Sequence, residues 1–117
     1  MMKIRTHKYA ELAYPLVHKV QGDSVEAKYR TLALTFPSMI MQSGLAQAIG
    51  FLMAKNKEEH KVLLEHIAIL LNKKDASVLH HAILKSSVTE YQLLSREALD
   101  ASAWLKRYTQ ALLEKQS

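Results

Sequence analysis

A chain of 117 residues, 49% of them hydrophobic, is long enough for one domain with a substantial buried core. The absence of cysteine excludes a disulfide framework, a thiolate metal site and a cysteine nucleophile, and it fits a reducing, cytoplasmic setting. Sixteen Lys and Arg against eleven Asp and Glu give a net charge of +5, enough to attract polyanions and equally compatible with an ordinary solvated surface.

The basic stretch Met1 to His7 is not followed by an apolar run. No apolar stretch approaches the ~20 residues of a membrane span, so neither a signal peptide nor membrane association is expected. Glycine and proline are scarce, whereas Ala, Leu, Lys, Glu and Gln are abundant, a profile that favours helix.

Chain punctuation predicts about six helical segments. The first runs from about Ile4 to Val20 and ends at Gly22, which suits a left-handed cap. Pro15 inside it predicts a bend or two short helices. Asp23 or Ser24 caps a second segment, Val25 to Phe36, with Glu26 favourably near its N-terminus. Pro37 is expected to stop that helix and open the next. The third segment, Ser38 to Lys55, is apolar on almost every side and is expected at the centre of a bundle. Within it, Gly44 and Gly50 mark either a break or the close approach of another helix.

A fourth segment, about Lys57 to Leu71, presents Leu63 or Leu64, Ile67, Leu70 and Leu71 at helical spacing. Asp75 caps the fifth, Ala76 to Lys85, with Val78, Leu79, Ala82 and Ile83 inward. Ser87 and Glu90 form a capping box for the last and longest helix, which runs to about Glu114. Its core stripe is Tyr91, Leu94, Ala98, Ala101, Leu105, Tyr108 and Leu112. The expected fold is all-α: one domain over 1–117, a compact bundle of about six helices with a long C-terminal helix.

No constellation for catalysis stands out. The carboxylates near His60 and His66 lack the Glu-x-x-His spacing of di-iron bundles, and adjacent His80 and His81 diverge by roughly 100° on a helix. Nucleophile elbows and phosphate-binding glycine loops are absent, so no enzyme, metal or cofactor is expected. The outer face of the last helix carries Arg96, Asp100, Ala103, Arg107 and Gln110, with Lys106 adjacent. Arg107 offers a planar fork for phosphate and Lys106 a point charge; an ordinary solvated face is the alternative. Trp104 falls between the two faces, placed to stack on a base, anchor a partner, or pack at the edge of the core. The polar turn Gln42-Ser43-Gly44 offers groups for hydrogen bonds to backbone or sugar, or simply permits a bend.

Three ordered stretches carry a family resemblance. Tyr29-Arg30-Thr31-Leu32-Ala33 leads to Phe36-Pro37-Ser38-Met39-Ile40. Gln42 through Leu52 then precedes Ala54-Lys55, and Arg96-Glu97-Ala98-Leu99 precedes Trp104-Leu105-Lys106-Arg107-Tyr108 and Ala111. From about Tyr29 to Leu113 the chain resembles the small α-helical subunit of the type III-B (Cmr) CRISPR RNA-guided effector complex. Two positions depart from that pattern: Ser43 stands where asparagine is expected, and Pro15 interrupts the first helix.

The resemblance implies a non-catalytic bundle whose copies stack along guide RNA and target RNA, beside repeat-type backbone subunits. It makes Arg30, Gln42, Lys55, Lys106 and Arg107 the candidate RNA or inter-subunit contacts. The competing reading is a helical adaptor that binds protein alone. A helix-turn-helix DNA regulator is disfavoured, because no short helix clusters Arg, Asn or Gln for base edges.

Overall fold

A computed structural model describes residues 5–113 of the chain, with side chains from His7 to Leu113. They form six helices: α1 (Arg5–Val20), α2 (Glu26–Ser43), α3 (Leu45–Lys55), α4 (Glu58–Leu70), α5 (Ala76–Lys85) and α6 (Val88–Leu112). There is no strand among the described residues. The expected helix start at Ile4, its extension to Glu114 and the head of the basic N-terminal stretch, Met1–Ile4, lie outside them.

Several helix ends follow local chemistry. Gly22 takes φ +81° after α1, a conformation open to glycine at no steric cost. The Asp75 carboxylate accepts from the Val78 amide at 3.0 Å and caps α5. At α6 the Glu90 amide donates to the Ser87 hydroxyl at 3.2 Å, and the Glu90 carboxylate accepts from the Ser87 amide at 2.8 Å. Hydrogen bonding to Ser87, its backbone amide first and its side chain second, holds the Glu90 carboxyl below the usual range.

The start of α2 differs from expectation. Its N-cap is Val25, without a side-chain cap. Asp23 instead accepts from the Val25 amide at 3.1 Å, closing a turn two residues on, while Glu26 reaches back to the Gly22 amide at 2.9 Å. A short turn thus uses the carboxylate that a helix cap would have needed.

Both prolines are accommodated rather than obeyed. α1 is a single helix through Pro15, not two short ones. Pro15 lies on the exposed side, between buried Ala13 and Val17, where backbone freed by the ring is open to solvent. Pro37 neither stops α2 nor opens a helix; it sits inside one 18-residue helix. Its flanking residues Ala33, Phe36 and Ile40 are all buried, and that packing outweighs the ~3 kcal/mol cost of an interior proline. The chain breaks at Gly44 instead, where φ +87° and ψ 159° define a region almost confined to glycine.

That break changes the place of the third segment. Residues 38–43 finish α2, and only residues 45–55 form α3. α3 lies on a flank, against α2, α4 and α5, and buries Leu45, Ala48, Ile49 and Leu52 while Met53 opens to solvent. The centre belongs to α2, which packs most extensively on α6 and also on α3 and α4. The apolar surround of residues 38–55 thus combines the faces of two helices, the end of α2 and the whole of α3. On α5, Leu79 and Ile83 turn inward as expected, but Val78 stays 42% exposed.

Two hydrogen bonds fix the directions of the central helices. The Ala46 amide donates to the Tyr91 hydroxyl at 3.0 Å, so the start of α6 lies at the α2–α3 junction. The Gln21 side chain donates to the Leu112 carbonyl at 2.9 Å, so the end of α6 lies where α1 ends and α2 begins. α6 therefore runs antiparallel to α2 and in the same sense as α1. Leu94, Ala98, Ala101 and Leu105 of the expected stripe are buried, and Tyr91, Tyr108 and Leu112 half-buried. Ser102 and Thr109, fully buried beside them, have hydroxyls without a hydrogen-bond partner among the described residues. Their small side chains let a neighbouring helix come close.

Candidate nucleic-acid interface

The antiparallel pairing of α2 and α6 decides which candidate residues meet. Fourteen residues back along α2 from Gly44 lies Arg30, and fourteen on along α6 from Tyr91 lies Leu105. Equal rise per residue puts Arg30 level with Lys106 and Arg107. Lys106 turns toward the side of α6 that carries Ser95, Ser102 and Thr109, and is half-buried; Arg107, about 100° further round, is exposed. Arg30 is also half-buried, and its Nε is enclosed with no hydrogen-bond partner among the described residues. Arg30 and Lys106 thus lie at about the same height along the α2–α6 pair, while Arg107 faces the recess that Trp104 lines.

Gln42 and Lys55 do not join them. Gln42 is exposed at the far end of α2, about 18 Å along the helix from Arg30. Lys55 closes α3, with its ammonium 5.9 Å from the centre of the Phe51 ring. Phe51 in turn forms one wall of a groove of about 500 Å³ between α2 and the α3–α4 corner. Lys28, Thr31, Thr35, Lys57, Glu59 and His60 line that groove with it, so Lys28 and Lys57 are basic residues near the site that the sequence does not single out. His60 is buried, edge-on to Phe51 at 5.5 Å. Its Nδ1 lies 3.5 Å from the Glu59 carboxylate without hydrogen-bond geometry.

Trp104 sits half-buried at the margin of the core, which agrees with edge packing, but it does not sit alone. Its ring meets Tyr108 at 5.6 Å, Tyr108 meets Tyr14 of α1 edge-on at 5.4 Å, and Tyr14 stacks on His18 at 6.0 Å. Beside Trp104 is a recess of about 160 Å³ shared with Asp100, Ala103 and Arg107. The two i, i+4 aromatic pairs are visible in the sequence; their union needs the parallel packing of α1 on α6, which is not.

The most deeply placed titratable pair is structural. Tyr29 on α2 and His66 on α4 share a buried hydrogen bond of 2.8 Å. Burial raises the phenol well above its ordinary range and lowers the imidazole to about 4, so both are neutral at pH 7. Among the described residues no three His, Asp or Glu side chains converge as metal ligands would. Nor is any helix among them long and apolar enough to cross a membrane.

Comparison with known proteins agrees with this architecture. The sequence pattern of the family described as CRISPR-associated protein Cas_Cmr5 matches residues 5–112. The Cmr5 subunit of the CRISPR Cmr system of Thermus thermophilus is 35% identical over 113 residues, or 97% of this chain and 99% of the relative. The X-ray crystal structure of a CRISPR-associated Cmr5 family protein from the same organism superposes with a TM-score of 0.91, at 35% identity, over 96% of this chain and 100% of that one. The chain thus belongs to the Cmr5 family of CRISPR-associated proteins.

Proposed function

We propose that this protein is the non-catalytic small subunit of a cytoplasmic type III-B (Cmr) effector complex. Copies of it stack along the paired guide RNA and target RNA, beside the repeat-type backbone subunits, and support target binding in antiviral defence. Base pairing between guide and target supplies sequence recognition, so this subunit needs only to neutralise phosphate and shape the channel. What supports the reading is that Arg30 and Lys106 lie level along the antiparallel α2–α6 pair, with an enclosed Arg30 Nε that has no hydrogen-bond partner among the described residues. Gln42 and Lys55, on other faces, serve as RNA or inter-subunit contacts.

Each phosphate contact is weak alone and gains from repetition along a filament. The test is the salt dependence of single-stranded RNA binding by the purified chain. Three phosphate contacts predict a slope of about −2 in log affinity against log salt. A slope near zero contradicts phosphate contact.

A second reading, a helical adaptor without RNA contact, is favoured by three large apolar side chains in solvent: Met41 is 74% exposed, Leu84 67% and Val88 75%. Under it, substitution of these residues breaks assembly while charge reversal at Lys106 and Arg107 leaves RNA content unchanged.

A further inference from the structure

The groove of about 500 Å³ between α2 and the α3–α4 corner has no task in a subunit that only neutralises phosphate. Its apolar lining comes from Leu32, Met39 and Phe51. The polar groups beside them offer lone pairs rather than hydrogens. The Thr31 hydroxyl already donates to the Ala27 carbonyl at 3.3 Å, and the Thr35 hydroxyl to that of Leu32 at 3.1 Å, so each has only acceptor capacity left for a guest. The Glu59 carboxylate adds further acceptors. It lies 3.5 Å from Nδ1 of His60, which is only 7% exposed and has no hydrogen-bond partner at that nitrogen among the described residues. An acceptor-rich wall beside an apolar one calls for a guest that brings N–H groups and apolar side chains.

Charge narrows the occupant. Lys28 and Lys57 line the groove and are exposed, and neither is ion-paired among the described residues. Lys57 is also out of place by helix chemistry. It is the N-cap of α4, where its side chain makes no cap and its charge opposes the helix dipole. A carboxylate brought from outside offsets that cost. A nucleotide strand fits less well, because its phosphates are acceptors facing acceptors and are repelled by Glu59. Nor is the Phe51 ring open for a base to stack on: the Lys55 ammonium lies 5.9 Å from its centre and the His60 ring packs edge-on at 5.5 Å.

We propose that this groove docks an extended segment of a neighbouring protein subunit in which apolar residues are flanked by Asp or Glu. An apolar side chain packs on Leu32, Met39 and Phe51, backbone N–H groups donate to Thr31, Thr35 and Glu59, and carboxylates reach Lys28 and Lys57. This rests on the reading of the chain as a subunit of a larger assembly, and adds to it a protein contact apart from the RNA contacts. Lys28 and Arg30, two residues apart on α2, point roughly 160° away from each other.

A water-soluble carbodiimide, which joins a lysine amine to a carboxylate in direct contact, tests the docking in the assembled complex. Mass spectrometry is expected to find Lys28 and Lys57 linked to Asp or Glu of another subunit, next to apolar residues in its sequence. The double variant Lys28→Arg, Lys57→Arg should keep the neighbour and lose the links, since guanidinium does not couple. A fluorescently labelled synthetic peptide of the linked segment should bind the purified full chain, and the double variant Lys28→Glu, Lys57→Glu should weaken that binding about ten-fold in polarisation. The arginine variant should bind the peptide as the wild type does.

Links confined to carboxylates of the same chain, or none at Lys28 and Lys57, overturn the proposal. So does a peptide held equally by the wild type and the glutamate variant. Ultraviolet crosslinking of either lysine to RNA makes the groove a nucleic-acid contact and overturns it as well. Failure of the RNA reading looks different: an assembly free of RNA in which Lys28 and Lys57 still couple to a neighbour's carboxylates.

Discussion

The two ends of the α2–α6 pair are built on opposite principles. At the junction of α2 and α3, polar groups are answered from within: Tyr91 reaches from α6 to take the Ala46 amide, and the Ser87–Glu90 box closes the start of α6. At the other end, successive residues part ways. Tyr29 turns inward to a buried bond with His66, whereas Arg30 beside it has an Nε without a partner among the described residues, level with Lys106. A polar group satisfied inside the protein stabilises the fold. A buried donor left unsatisfied, as the Arg30 Nε is among the described residues, costs stability. One end of the pair is thus tied from within and the other is not, and perturbations should separate in the same way.

The largest effect is expected from acid, acting on the inward tie. The His66 imidazole is held near 4, below its ordinary 6.5, so between those values the unfolded chain binds the extra proton. Stability is complete above about pH 6.5 and falls as pH drops toward 4, by roughly 3 kcal/mol over the full interval. Denaturant melts between pH 7 and 4 measure this, and His66→Gln should flatten the profile. A profile already flat in the wild type would mean the pair does not bear on stability.

Next is the glycine joint. Gly44→Ala must place a Cβ at φ +87°, and although the nearest atom, the Tyr91 hydroxyl, is an acceptable 3.5 Å away, the backbone itself is strained. A loss of about 2 kcal/mol in chemical denaturation is expected. At Gly50, inside α3 with open space around it, the same substitution should be neutral or stabilising by up to about 1 kcal/mol. Equal costs at both positions would contradict the joint.

Tyr91→Phe removes the hydroxyl that caps α3 from a distance and should cost about 1 kcal/mol without changing the fold. The smallest effect on stability belongs to the cationic end, where Arg107→Glu should change it by less than about 0.5 kcal/mol because the side chain is exposed.

Much of this architecture is legible in the chain. Asp75, the Ser87–Glu90 box, Gly22 and the alternation by threes and fours in α6 are local signals, and each lands within a residue or two of its place. Pro37 misleads because its cost is offset by the burial of Phe36 and Ile40, which no local rule can see. Gly44 offered two readings, and the break was settled by a helix whose sequence lies more than forty residues away. The candidate site divides in the same manner. Lys106 and Arg107 are neighbours in sequence, but Arg30 comes level with Lys106 only through the antiparallel register of α2 on α6, while Gln42 and Lys55 fall elsewhere. Lys28 and Lys57, at the groove that Phe51 lines, carry no signal until α2 and α4 are brought together.

The central claim is that the cationic end meets RNA rather than protein. Its most direct test is ultraviolet crosslinking of guide and target RNA to this subunit in the assembled complex, comparing wild type with the double variant Lys106→Glu, Arg107→Glu. The double variant is expected to fold, to assemble with its neighbours and to lose most of its RNA crosslinks. Undiminished crosslinking in a normally assembled complex would contradict the claim.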